Sequence, residues 1–71
     1  MSQKEMILQY LEDVGHVTAW EAMRDLGVMR LVSRVHEIRK SGIDITGTMH
    51  RSKNRYGKKI RYMIYTMEKA S

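Results

Sequence analysis

The sequence predicts an α+β domain in which three helices are followed by a two-stranded β-hairpin. Three observations carry this. Apolar residues recur at helical spacing from Met6 to Ile38, the spacing changes to alternation after Gly42, and glycines fall where one periodic stretch gives way to the next. The expected organisation is one domain over 1–71, with helices at about 3–14, 19–26 and 29–41 and a hairpin over about 43–66.

The first helix opens on Ser2-Gln-Lys-Glu5, a capping box in which the serine hydroxyl serves the Glu5 amide and the glutamate serves the serine amide. Met6, Ile7, Tyr10, Leu11 and Val14 share one arc, and Gly15 ends it. His16-Val17 is too short for more than a bridge or a short edge strand. Thr18-Ala-Trp-Glu21 repeats the capping box and opens a second, short helix. There Ala19, Ala22, Met23 and Leu26 follow the i, i+3, i+4, i+7 rule of a core-facing stripe, with Trp20 half-buried over its edge.

Gly27 turns the chain into a third helix. Leu31, Val35 and Ile38 form its buried stripe with Val32 beside them. The opposite side carries Met29, Arg30, Ser33, Glu37 and Lys40, with Arg34 on the flank. Gly42 stands where a helix closes in the left-handed conformation. Beyond it Ile43 and Ile45 alternate with Asp44 and Thr46, and Ile60, Tyr62 and Ile64 alternate with Arg61, Met63 and Tyr65. Thr48 to Lys59 reads as a long polar loop between these strands, too long for a two-residue turn. Met67 to Ser71 reads as a frayed tail.

Composition narrows the function. A chain of 71 residues buries only about 60% of its unfolded surface, which leaves little room for a catalytic cleft. With no cysteine there is neither a disulfide framework nor a thiolate zinc site. His16, His36 and His50 sit on different elements without the spacing of metal ligands. No nucleophile stands with a base, and no glycine-rich phosphate loop follows a strand. The sequence therefore predicts no enzyme, no cofactor, no metal and no small-molecule substrate. Neither a leader peptide nor a run of about 20 apolar residues is visible, so the expectation is a cytoplasmic protein with no membrane contact.

Charge is divided unevenly. Residues 1–37 hold four basic and six acidic side chains, a net of −2, whereas residues 38–71 hold nine and two, a net of +7. Such segregation is the electrostatic footprint of a polyanion partner. Arg30 and Arg34, one helical turn apart, are candidates for guanine contacts in a major groove, with Ser33 for a base or phosphate and Met29 for a thymine methyl. The competing reading for Arg34 is a surface pair with Glu37. In the loop, Arg51, Lys53, Arg55, Lys58 and Lys59 are cations without an acid among them, Asn54 and Gly57 allow tight turning, and Tyr56 adds an amphipathic body. They are candidates for backbone or minor-groove contacts.

Thr18, Glu21-Ala22, Leu26-Gly27, Arg30-Leu31, Ile38-Arg39, Gly42 and Ile45 carry a closer likeness. With the Tyr-rich final strand, they resemble the small winged helix-turn-helix domains encoded by phages and prophages, over roughly Lys4 to Thr66. The resemblance implies double-stranded DNA as partner, in transcription or mobile-element control inside a bacterial host. On that reading the third helix enters the major groove. The stretch from Met49 to Lys59 is longer and more basic than the family pattern, so its placement on the backbone or minor groove rests on its cations and not on the resemblance. A homodimer is expected to form through Trp20 or through the Met63/Tyr65/Met67 strand face. The alternative is a protein-interaction module on the same frame, such as a phage inhibitor of a host nucleic-acid enzyme. An RNA binder is a weaker third reading, because no aromatic stacking pair stands out on a sheet face.

Overall fold

Helix α1 (Gln3–Val14) begins where the capping box predicts. Ser2 Oγ accepts the Glu5 N–H at 3.1 Å and Glu5 Oε1 accepts the Ser2 N–H at 3.3 Å. Ile7 and Leu11 are buried, while Val14 in the last turn is exposed and leaves the expected arc. The computed structural model, which describes residues 1–67, continues through Val17 to a second capping box at Thr18 and Glu21. Helix α2 (Ala19–Glu21) then widens into a π-helical turn, Ala22–Leu26. Gly27, at φ 68°, donates to the Met23 carbonyl at 3.1 Å, and the Val28 N–H reaches back to the Ala22 carbonyl at 3.0 Å. This short element buries Ala22 in the core and packs the half-buried Leu26 against it. Ala19 and Met23, expected on the core face, are exposed, because a single wide turn presents a narrower stripe than a full helix.

Helix α3 (Leu31–Lys40) starts later than the expected position near 29. The left-handed Gly27 and the Val28–Ala22 bond pull Val28 into the core, 1% exposed, so the chain must first cross outward through Met29 and Arg30. Arg30, at φ −126° and ψ 64°, is the cap residue, and its side chain bonds none of the first amides of the helix. Leu31, Val35 and Ile38 are buried as the spacing predicts. Val32 is not beside them but 65% exposed.

A polar cluster fastens the second helix to the first. The Tyr10 hydroxyl donates to Asp25 Oδ2 at 2.7 Å, and Glu21 Oε2 lies within 3.4 Å of it. Glu21 also pairs with His16 at 3.3 Å, and Asp25 with Arg24 at 2.8 Å. The bonds from Arg24 and Tyr10 hold the Asp25 carboxyl down at about 2, while the bond to Asp25 and partial burial push the Tyr10 phenol up to about 12.

Strands β1 (Ile45–Lys53) and β2 (Lys59–Met67) pair antiparallel from Ile45 opposite Met67 to Lys53 opposite Lys59. The long loop expected from Thr48 to Lys59 is therefore a correction: the ladder runs nearly to the tip and Ile43 stays outside it. The turn explains why. Asn54 Oδ1 accepts the Tyr56 and Lys58 N–H groups at 2.9 and 3.0 Å, the Gly57 N–H bonds the Asn54 carbonyl at 3.0 Å, and the Asn54 N–H bonds the Lys58 carbonyl at 2.9 Å. With Gly57 at φ 76°, this is a type I turn closed by a glycine bulge, leaving Arg55–Gly57 as the loop. Neither face of the outer ladder is buried, so no apolar alternation advertises it in the sequence.

Val17 adds a single bridge on the far side of β2, exchanging two 2.9 Å bonds with Tyr65. The outer edge of β1 has no strand beside it among the described residues. Ile7, Leu11, Val17, Ala22, Val28, Leu31, Val35, Ile38, Ile45 and Tyr65 make the core where helices and hairpin base meet. Gly47 lies opposite Tyr65, and a Cβ there would stand 3.1 Å from Met63 Sδ and 3.3 Å from the Tyr65 ring, so only glycine lets the ring cross the strand without displacement. Arg39 locks α3 to the hairpin: its Nε and Nη2 donate to the Ile45 carbonyl at 3.0 and 2.7 Å, and its guanidinium lies over the Tyr65 ring. Met67 ends β2; the rest of the expected tail, 68–71, lies outside the described residues.

Candidate nucleic-acid interface

Residues directly opposite in an antiparallel ladder share a face. At the hairpin base the Ile45 and Tyr65 face is the core. Followed toward the tip, the same face presents Arg51 opposite Arg61 and Lys53 opposite Lys59. Tyr65 spends its backbone bonds on Val17, so these are the non-hydrogen-bonded pairs of the ladder, whose side chains stand closest together. The four cations border a shallow depression with Ser52 and Ile60, and no acidic residue occurs between Ile45 and Met67. Like charges set directly opposite destabilise a hairpin, and an anion placed between them would relieve the repulsion.

The other face carries no lysine, arginine or acid on either strand: Thr46, Thr48, His50 and Ser52 against Ile60, Tyr62, Ile64 and Thr66. His50 and Tyr62 stack on each other there, ring centres 5.9 Å apart. This is an aromatic pair that alternation alone did not reveal, because His50 falls in the stretch read from the sequence as loop.

On α3, Val32, Ser33, His36 and Lys40 face solvent, while Arg34 and Glu37 turn to one flank and pair, Nη1 lying 2.9 and 3.0 Å from the two carboxylate oxygens. The Arg34 side chain is two-thirds covered, and its buried Nε has no partner among the described residues. The Arg39 bonds put the hairpin on the opposite flank, next to Val32. Accordingly Val32 lines one groove with Trp20 and Arg24 on one side and Arg61, Tyr62 and Met63 on the other. Val32 at the edge of the exposed face of α3 and Arg61 of the cationic wing face thus border a common groove.

The sequence-predicted residues divide into two groups. Met29 is 74% exposed ahead of α3, Arg30 and Ser33 face solvent, and Arg51, Lys53 and Lys59 share the wing face. Arg55, Tyr56 and Lys58 surround the turn, with Tyr56 88% exposed. Arg34 and Asn54 instead have structural partners, Glu37 and the turn amides. Sequence reasoning missed Arg61, Val32 and His36. The Asn54-to-Gly57 turn signal was the means to find Arg61, since counting back from it sets Arg61 against Arg51.

The expected dimer surfaces also change. Tyr65 is core and Met63 and Met67 pack against it, so the Met63/Tyr65/Met67 face is not a free one. Trp20, expected to be half-buried, is 61% exposed.

Helices joined by a tight turn, with a hairpin that returns to bond the segment between the first two, define a winged helix-turn-helix architecture. The chain matches the family model described as a winged helix-turn-helix domain over residues 2–70, and it belongs to that family. No curated protein and no solved structure matches it. The architecture suggests DNA binding, with DNA as a partner. Among the described residues, no helix is long and apolar enough to cross a membrane.

Proposed function

We propose that this chain binds double-stranded DNA sequence-specifically, with α3 in the major groove and the wing on the backbone or in the minor groove. The observation that carries the reading is the wing face itself. It carries two directly opposed like-charge pairs, Arg51 with Arg61 and Lys53 with Lys59, and Arg61 borders one groove with Val32 of α3. A hairpin that tolerates this repulsion gains most from a partner carrying closely spaced negative charge, and phosphates along a duplex supply it. Arg30 adds a further cation to the reading: it is exposed at the start of α3, where a guanidinium can meet a phosphate or a base edge.

The role implied by the phage and prophage likeness is a small transcriptional regulator or recombination directionality factor, acting in the bacterial cytoplasm. A single module of this size buries about 600–1,000 Å² on DNA, so useful affinity calls for two copies or tandem sites. The test is binding to random-sequence duplex across a salt series, followed by selection of the preferred site. Affinity should fall steeply with salt, and Arg30→Ala should relax specificity for the selected site. Affinity that is flat with salt would defeat the proposal.

A second reading has one observation in its favour. Trp20 is exposed beside Val32 and Met63, and such a tryptophan suits a protein-docking hot spot. Trp20→Ala that leaves DNA binding intact while abolishing a protein contact would favour it.

A further inference from the structure

We infer that Val32 is a specificity-determining residue whose isopropyl group meets the 5-methyl of a thymine in the major groove. The inference rests on the DNA-binding reading above and names what one position of that surface recognises. Val32 is 65% exposed, and the core is complete without it. It stands in the first turn of α3, next to Ser33 and one turn before His36, on the flank that opens onto the wing groove. A β-branched side chain in a helix is held in essentially one rotamer, so its two methyls are fixed in direction before any partner arrives.

The chemistry around Val32 limits what it can read. It cannot neutralise a phosphate or pair with a base edge. The nearest carboxylate on α3, Glu37, is turned away and held by Arg34. In the major groove the thymine methyl is the one apolar feature a base pair presents, and aliphatic contact is how it is distinguished from cytosine and from uracil. The exposed Met29 precedes the helix and is a separate, more flexible apolar group, so the two are separable by substitution.

The experiment uses the duplex selected by the native chain from a random-sequence pool, resynthesised with deoxyuridine replacing each thymidine in turn. At one position the loss of the methyl should weaken native binding about fourfold, the worth of one buried methyl-sized group. Val32→Ser should bind the thymidine duplex more weakly and lose this discrimination at that position alone, whereas Met29→Ala should retain it. Val32 is exposed, so the variant should fold, and a circular dichroism melt checks this. Native binding that is indifferent to every uracil replacement overturns the inference while leaving DNA binding standing. So does full discrimination surviving in Val32→Ser. Failure of the native chain to bind any duplex overturns the DNA-binding reading itself.

Discussion

Arg61→Thr should act in opposite directions on the free protein and on its complex with DNA. In the free chain Arg61 stands across from Arg51 in a non-hydrogen-bonded pair. Two unit charges about 6 Å apart in water repel by roughly 0.7 kcal/mol, and salt near 0.1 M leaves about half of that. Threonine removes the repulsion and is itself a good strand residue. Urea denaturation at low salt should therefore show the variant more stable by about 0.4–0.7 kcal/mol, with the gain shrinking toward that of the strand preference alone at about 1 M salt. On duplex DNA the same change removes one phosphate contact. The slope of log affinity against log salt should become shallower by about 0.9, so that between ~50 and ~200 mM salt the variant loses about 3.5-fold less affinity than the native chain. Adding Lys59→Thr should double the change in slope. Fluorescence anisotropy of a labelled random duplex measures it. A variant less stable than the native chain at low salt would show that the opposed arginines do not strain the hairpin. An unchanged slope would show that this face does not touch the backbone.

Three further outcomes are expected. Arg39→Gln gives up the bonds to the Ile45 carbonyl and the stack on Tyr65, and should cost about 1–2 kcal/mol in urea while leaving the salt slope of DNA binding unaltered. Trp20→Ala should change the unfolding free energy by no more than ~0.5 kcal/mol, as for an exposed side chain; a loss of about 3–5 kcal/mol would instead mark it as core. The Tyr10–Asp25 link should give thermal stability a plateau bounded on both sides. Asp25 titrates lower in the folded chain than in the unfolded one, so its contribution is present above the ordinary carboxylate range and fades as pH falls toward about 2. Tyr10 titrates higher when folded, so its contribution is complete below about 10 and fades as pH rises through about 12. In Tyr10→Phe, melting curves taken across pH should show the alkaline limb moved.

Local chemistry that the chain spells out within four residues is legible in the sequence. Ser2 with Glu5 and Thr18 with Glu21 close their capping boxes, and Gly15 and Gly27 take the left-handed turns that end the helices they follow. The stripe of Leu31, Val35 and Ile38 was legible for the same reason, because burial on one face has a fixed period. The start of α3 was not. Whether Val28 begins a helix or dives into the core depends on the long bond to Ala22, which periodicity does not register. The length of the wing is not legible either, because its outer ladder is solvated on both faces, where hydrogen bonds and the Asn54 turn hold the strands without apolar alternation. On the candidate site, cation identity was readable and cation direction was not. For Arg34 the i+3 spacing offers Glu37 as well as DNA and the fold takes Glu37, whereas Arg39 looks as available in the sequence as Arg51 and only the fold assigns it to the Ile45 carbonyl.

The bare rim of β1 has a consequence for how the protein behaves in a crowded solution. Since the even-numbered residues bond β2, the amides and carbonyls of Met49, Arg51 and Lys53 point outward, a template on which another extended chain could add itself. Arg51 and Lys53 guard that template, because an incoming copy would bring the same positive charge with it. A polyanion that quenches this charge would lift the guard, so the cations that would hold DNA also keep the protein from sticking to itself while DNA is absent.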